Sequence, residues 1–256
     1  LIRIINRILL PDSGKILWNG RESQPEDVYH MGYLPEERGL YPKMKTGEQA
    51  LYLARLKGLS SSEARNRLKV WFEKFDLMPW WNRRLEQLSK GMQQKVQFIV
   101  TVVHDPDLLV FDEPFSGFDP LNVDLLKKEL LELKRQGKTI IFSTHNMSSV
   151  EEICDDIALI DHAKVVLNGS VDEVRSRYKT NVISLKTEGE KAIEANDELF
   201  FILEQQLIRN IRTARLQKNR EAGNSTVINY LSSKYNIISF EEEIPSMNDI
   251  FIRTVS

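Results

Sequence analysis

Apolar residues follow two different periods along the chain. Short apolar runs typical of β-strands lie at residues 15–20, 31–35, 108–111 and 139–142. Apolar residues at helical spacing fill residues 46–58, 62–77, 92–104 and 121–136. Strands that alternate with helices predict an α/β fold with a parallel sheet. The first two helices stand between the second and third strands, so residues 46–90 are expected to form an inserted helical subdomain.

The runs at 108–111 and 139–142 are almost wholly apolar. Such runs are typical of strands that a parallel sheet buries on both faces. Two further strands are predicted at 157–160 and 164–167, and a helix at 171–178. The first domain is therefore expected to span residues 1–178.

The pattern changes beyond residue 180. Strands are predicted at 181–186 and 237–243, and helices at 225–234 and 246–254. The stretch 199–220 stays open, because its apolar run could begin either a strand or a helix. Residues 180–256 are expected to form a separate, small α+β module.

Composition narrows the class of protein. The 256 residues are 41% hydrophobic and 28% charged, enough for one large and one small domain, and the net charge is -2. No block of like charge suggests a polyanionic partner, so nucleic acid is not expected to bind. No run approaches the ~18 apolar residues of a membrane span. The one cysteine, Cys154, fits a reducing compartment.

Two acidic residues, Asp112 and Glu113, directly follow the apolar run at 108–111. Ligands of parallel α/β sheets bind at the carboxyl ends of the strands. In a nucleotide hydrolase the first acid would hold Mg²⁺, and the second would orient or deprotonate the attacking water. An acidic turn after a core strand would give the same short pattern, so the pair alone does not decide.

Ser89 and Gly91 precede the predicted helix 92–104. A serine hydroxyl and backbone N–H groups at a helix N-terminus form an anion site. A plain serine cap of the helix is the alternative interpretation. Downstream, residues 116–120 form a Ser-Gly-Phe-Asp-Pro loop, and His145 follows the strand 139–142, where an imidazole could contact a γ-phosphate. A histidine at a strand end is otherwise commonly structural.

Taken together, these motifs resemble those of the ATP-binding cassette of ABC transporters over residues 1–178. Residues 88–93 resemble the signature loop, with Lys90 and Met92 as departures, and residues 108–114 resemble the Walker B strand. Residues 116–120 resemble the loop through which two cassettes touch, and His145 resembles the switch histidine. Residues 32–42 and 243–251 resemble the Q-loop and the C-terminal extension of the subgroup related to sodium-exporting ATPases.

The resemblance implies a P-loop NTPase-like parallel core that uses ATP and Mg²⁺. It assigns metal binding to Asp112 and Glu36, catalysis to Glu113 and His145, and nucleotide contacts to Ser89, Gly91, Gln93 and Asp119. Glu36 stands where most cassettes have a glutamine that senses Mg²⁺. A carboxylate there adds negative charge beside the phosphates unless the metal offsets it.

No Gly-x-x-x-x-Gly-Lys-[Ser/Thr] phosphate loop occurs in the 256 residues, and residues 1–5 resemble the helix that normally follows one. We expect that the chain begins just downstream of its phosphate loop, that its core is truncated at the N-terminus, and that it is inactive alone.

The family works as a dimer of cassettes at the cytoplasmic face of the membrane and drives membrane-spanning subunits. We therefore expect a second cassette and transporter subunits as partners, with residues 38–44 and 80–81 as predicted contacts for a membrane subunit, and we expect an exporter. The alternative is a non-catalytic regulatory or binding cassette. A soluble twin-cassette factor is disfavoured, because one signature and one Walker B motif are present.

Overall fold

The computed structural model describes residues 1–37 and 39–255. It divides into two compact units, residues 1–145 and 146–256. The predicted boundary near 178–180 therefore lies inside the second unit, and that prediction stays untested as a domain boundary.

The first unit carries short elements before its main sheet. Its helices are α1 (Ile2–Ile5), α2 (Thr46–Leu56), α3 (Ser61–Lys74), α4 (Lys90–Val102) and α5 (Pro120–Arg135). Its strands are β1 (Leu17–Trp18), β2 (Arg21–Glu22), β3 (Met31–Leu34), β4 (Leu108–Asp112) and β5 (Thr139–Ser143). Short 3-10 helices lie at Pro25–His30, Met78–Trp80 and Leu85–Gln87.

The predicted parallel core is a three-stranded sheet in the order β3–β4–β5. The middle strand β4 is buried on both faces, with Leu109 and Phe111 in the larger core and Leu108 and Val110 in a smaller one. The prediction that 139–142 is a buried strand was wrong. Within the described residues β5 pairs only with β4, and Ile141 is 39% exposed.

The two helices of the insert begin and end at recognisable signals. Ser60 caps α3, and Glu63 completes a capping box. Helix α2 ends at Leu56, because Gly58 adopts a φ of +94° and the N–H of Leu59 donates to the carbonyl of Ala54. Helix α3 ends at Lys74, three residues before the predicted end.

The insert and the sheet share one hydrophobic core. Phe72 of α3 and Phe75, which directly follows that helix, are buried in the same cluster as Phe98 of α4 and Phe111 of β4. Phe98 packs against both Phe75 and Phe111, with ring centroids 5.7 and 5.9 Å apart. Helix α4, which follows the signature serine, is thereby packed between the insert and strand β4.

His104 is buried just beyond α4. Its Nε2 lies 3.1 Å from the carbonyl oxygen of Met31, and its Nδ1 is buried without a hydrogen-bond partner in the described part of the chain. Burial, together with the nearby charge of Lys57, lowers the pKa of His104 from 6.5 to about 4. The folded state therefore holds this imidazole neutral.

We expect His104 to make stability depend on pH. Below about pH 6.5 the imidazole of the unfolded chain becomes protonated, whereas that of the folded protein stays neutral until about pH 4. The free energy of unfolding therefore decreases as the pH falls through this window, by about 3 kcal/mol over the whole range. Urea unfolding at pH 7.5, 6 and 5 should show this slope, and His104→Gln should remove it. Equal slopes for the two proteins would contradict the assignment.

The second unit begins with elements that belong to the predicted cassette. It contains α6 (Met147–Ile153), β6 (Asp156–Asp161), β7 (Lys164–Ser170) and α7 (Val171–Arg177). Strands β6 and β7 form an antiparallel hairpin whose turn places His162 and Ala163 at positive φ. Both strands were predicted, and the structure gives them a two-stranded sheet of their own.

The remaining elements of the second unit are strands β8 (Val182–Glu188), β9 (Phe200–Ile208), β10 (Ile211–Lys218) and β11 (Asn236–Glu242), and helices α8 (Asn224–Ser232) and α9 (Met247–Val255). The strands form an antiparallel sheet in the order β11–β8–β10–β9, and α8 contributes Val227 and Leu231 to its core. The open stretch 199–220 is the hairpin β9–β10.

The C-terminal helix α9 packs away from that core. Its buried residues Met247 and Ile250 cluster with Val150, Val171 and Val174 of α6 and α7. The backbone N–H of Met247 also donates to the carboxylate of Glu151 at 2.6 Å. Residues 180–256 thus form a sheet module with its own core and a helix that completes the core of residues 147–178.

Candidate functional site

Strand β4 delivers Asp112 to the carboxyl end of the parallel sheet. Asp112 is half-buried, pairs in register with Ser143 of β5, and accepts a hydrogen bond from the Ser143 hydroxyl. Burial, and after it the charge of Asp112, raises the pKa of the Tyr33 hydroxyl on β3. The Asp112 carboxylate at the end of β4 therefore lies next to side chains of both neighbouring strands.

Glu113 leaves the strand in a left-handed conformation, with a φ of +48°. Such a conformation in a residue other than glycine costs about 1–3 kcal/mol and is concentrated at functional sites. The N–H of Glu113 donates to the carbonyl of Ser143 at 3.1 Å, which fixes this turn to the end of β5. The carboxylate is consequently directed to the residues that follow β5.

His145 and Glu113 are brought into direct contact. Glu113 Oε1 lies 2.8 Å from His145 Nδ1 and accepts the backbone N–H of His145 at 3.0 Å. The Glu113 side chain is 21% exposed, whereas the His145 side chain is 86% exposed. With Nδ1 donating to the carboxylate, a neutral His145 presents Nε2 as an acceptor and a protonated one presents it as a donor.

The signature segment is held by its own side chains. Ser89 caps α4 and accepts the N–H of Met92 at 3.3 Å. Gln93 turns its amide toward the preceding loop, where Nε2 donates to the carbonyls of Leu85 and Leu88 at 3.1 and 2.9 Å. These contacts order the loop before α4, and the nucleotide contact of Gln93 stays a prediction.

Asp119 and Gly91 are neighbours. Asp119 caps α5 and accepts the backbone N–H of Asn122 at 3.1 Å, and this hydrogen bond with that from the Asn122 amide lowers the pKa of Asp119. A Cβ on Gly91 would lie 3.5 Å from Asn122 Nδ2 and 4.0 Å from Asp119 Oδ2. The start of α4 and the start of α5 thus face each other closely, and the Asp119 carboxylate serves as a helix cap.

A cleft connects the end of β4 with the segment that follows β3. Glu36 and Glu113 both line it, and Glu36 is exposed. Its other lining residues are Leu34, Pro35, Gln94, Gln97, Pro114, Ser116 and Phe118. Two of the predicted acidic residues therefore meet in one cleft.

Sequence reasoning overlooked the amides Gln94 and Gln97 and the hydroxyl of Ser143. Gln94 donates to the carbonyl of Ser116, and Gln97 donates to that of Pro35 at 3.2 Å. The available signal was two glutamines three positions apart on one helix, of which Gln97 stands between the apolar residues Val96 and Phe98. Because residues 92–104 have the pattern of an ordinary amphipathic helix, the sequence did not predict a role for these two glutamines.

The donor set suits a magnesium ion that is shared with phosphate. Within residues 1–37 and 39–255 no group of three or more histidine, cysteine, aspartate or glutamate side chains could enclose a metal. Mg²⁺ in phosphoryl-transfer sites uses one or two carboxylates, water and substrate phosphates. Asp112 provides such a carboxylate at the end of β4.

Comparison with known proteins identifies the family. Residues 1–116 match the family described as ABC transporter, and residues 169–255 match the C-terminal domain of DrrA1-3-like ATP-binding proteins. The chain is 42% identical to the uncharacterized ABC transporter ATP-binding protein YhaQ of Bacillus subtilis, covering 99% of this chain and 84% of that protein. It is 33% identical to the ABC transporter ATP-binding protein NatA of the same species, covering 82% and 81%.

Solved structures agree with this sequence relationship. An ATP-binding subunit of an ABC transporter superposes with a TM-score of 0.63 at 32% identity, covering 69% of this chain and 75% of that one. The cbiO1 protein of Clostridium perfringens, part of the ABC transporter complex cbiONQ, gives 0.58 at 26% identity over 68% and 72%. The chain belongs to the family of ABC transporter ATP-binding proteins, which are generally ATPases.

Two predicted features concern the membrane. No helix in the described residues is both long and apolar enough to cross a bilayer. Of the predicted contact loop 38–44, Arg38 lies outside the described residues. Trp80 and Trp81, the other predicted contact, are both partly buried, and Trp81 packs on Phe72 with ring centroids 4.9 Å apart.

Proposed function

We propose that this protein hydrolyses ATP at the end of β4 and so powers an ABC exporter. The observation that supports this most directly is the Glu113 carboxylate, held at 2.8 Å by the imidazole of an exposed His145. A carboxylate fixed by hydrogen-bond donors at a strand end is positioned to orient water, and an exposed imidazole beside it is positioned to meet phosphate.

The proposed step is attack of water on the γ-phosphorus of ATP. The water oxygen forms the new bond to phosphorus, the bond from phosphorus to the bridging oxygen breaks, and a water proton passes to Glu113. His145 contacts the γ-phosphate. When bound, Mg²⁺ supplies positive charge against the phosphates, and Asp112 holds it through a carboxylate that Ser143 orients.

The second acidic residue of the cleft, Glu36, is proposed to act at the metal. Glu36 and Glu113 line the same cleft. A cation beside the phosphates would offset the negative charge that Glu36 adds there. Glu36 therefore takes the metal-sensing place of the usual glutamine with a charged group.

The signature residues are proposed to serve a second cassette. Ser89 and Gly91 lie at the N-terminus of the 13-residue helix α4, where backbone N–H groups and the helix dipole favour an anion. Asp119 faces them, and Gln93 orders the preceding loop. In the proposed dimer this surface closes on ATP held by the partner cassette, and the closing drives membrane-spanning subunits at the cytoplasmic face.

Phosphate release tests the proposal directly. The protein is produced as residues 1–256 behind a glycine-rich phosphate loop ending Gly-Lys-Thr-Thr, taken with its strand from an ABC ATP-binding protein. We expect ATP turnover that requires Mg²⁺ and stops in EDTA. ATP binding without any turnover would instead support a regulatory cassette, the alternative function for the same fold.

A further inference from the structure

Three polar side chains form a row along helix α4. Gln94 donates to the carbonyl of Ser116, Gln97 to that of Pro35 at 3.2 Å, and Thr101 to that of Tyr33 at 3.4 Å. Their spacing of three and four residues places them on one face of the helix. Each contacts the backbone of a segment that leads to or away from the site.

The segments reached by this row surround Glu113. Ser116 belongs to the loop that joins Glu113 to Asp119, and Pro35 immediately precedes Glu36. Gln94 and Gln97 also line the cleft between these segments. The helix that begins at the signature serine is therefore hydrogen-bonded to both loops that carry the acidic residues of the cleft.

Gln94 is the most constrained member of the row. Gly117 has a φ of +76°, and a Cβ there would lie 3.3 Å from Gln94 Nε2, so the loop approaches the amide closely. Gln94 Oε1 is buried and has no hydrogen-bond partner among the described residues. A buried polar acceptor without a partner destabilises the folded state.

We infer that Gln94 is a positioning residue for the reaction: it ties α4 to the loop after Glu113, and so couples the signature helix to the carboxylate that orients water. Gln97 ties the same helix to the Glu36 segment. The catalytic part of this inference rests on the proposed hydrolysis. The tie, meaning the hydrogen bond from Gln94 to the carbonyl of Ser116, does not rest on it.

Hydrogen exchange of the 256-residue chain tests the tie without any nucleotide. The N–H groups of Ser116 and Phe118 donate to the carbonyls of Glu113 and Phe115 at 3.1 and 3.4 Å. Gln94→Met keeps the size of the side chain but removes the donor, so we expect exchange at these two amides to accelerate about tenfold. Gln97→Met is the matched control on the same helix and should leave both amides unchanged.

Turnover in the polypeptide with the phosphate loop tests the catalytic part. Misplaced catalytic groups lose about 10–10²-fold in rate, so Gln94→Met should lower kcat by that factor with KM for ATP within about threefold. Gln136→Met, an exposed amide on the loop after α5, should retain full kcat.

The possible results separate the two proposals. Unchanged exchange at Ser116 and Phe118 in Gln94→Met overturns the tie. Faster exchange with an unchanged kcat overturns its role in positioning. In a third outcome, the melting temperature and kcat fall together and exchange rises throughout the chain. Gln94 would then be merely structural, which also overturns its role in positioning. Absence of turnover in the unsubstituted polypeptide with the phosphate loop counts against the proposed function. Hydrogen exchange of the 256-residue chain still decides whether the tie exists.

Discussion

Replacing Glu113 by glutamine is expected to slow ATP hydrolysis about 10²–10⁴-fold, the usual contribution of a positioned acid or base. The carboxamide retains the shape of the side chain and can still accept from the backbone N–H of His145, which now lies 3.0 Å from Oε1. It cannot take up the proton of the attacking water. In the polypeptide with the phosphate loop, phosphate release should fall while ATP still binds.

In the proposed dimer ATP binding drives closure and hydrolysis releases it, so the same variant should accumulate as a closed dimer. Size-exclusion chromatography with ATP and Mg²⁺ measures this accumulation. Glu132→Gln provides the matched control, since Glu132 is an acidic residue on α5 that pairs with Arg135 away from the cleft. Turnover at the unsubstituted rate in Glu113→Gln would show that another group orients the water.

Residues 1–256 alone are expected to turn over ATP at a negligible rate. The sequence contains no phosphate-loop motif, whose backbone N–H groups and lysine bind the β- and γ-phosphates. The polypeptide with an added phosphate loop should show Mg²⁺-dependent phosphate release at saturating ATP. This comparison is expected to give the largest difference of those described.

The control for this comparison keeps the added phosphate loop and changes one residue in it. Replacing the lysine of the added loop by alanine should return turnover to the level of the 256 residues alone, because the point charge at the phosphates is lost. Robust phosphate release by residues 1–256 without the loop would mean that other groups in this chain bind the phosphates, and the roles proposed for Asp112 and His145 would need revision.

Much of the fold was predictable because its elements have strong local signals. The apolar run at 108–111 is the central strand of a parallel sheet, and the predicted helices at 46–58 and 121–136 are α2 and α5. Glycine and capping residues account for the small differences between the predicted and observed ends of the helices, as at Gly58 after α2. The acidic pair at the end of β4 was likewise predictable, since strand ends in such sheets carry ligands.

Pairing between distant segments was not predictable in the same way. The run 139–142 has the composition of a buried strand but forms an edge, because exposure depends on which strands lie beside it. The strands at 156–170 were predicted without a pairing partner, and the structure pairs them with each other in a hairpin. Composition and periodicity describe a segment and do not choose its neighbours.

The sequence by itself determined which residues can do chemistry at which strand and helix ends, because motif spacing and local periodicity are properties of neighbouring residues. The tertiary structure decided which of them meet. It placed Glu113 on His145, turned Gln93 to the carbonyls of Leu85 and Leu88, and aligned Gln94 with Ser116. Each of these contacts depends on the packing of α4 and β5 against β4, and packing is settled only when the whole core forms.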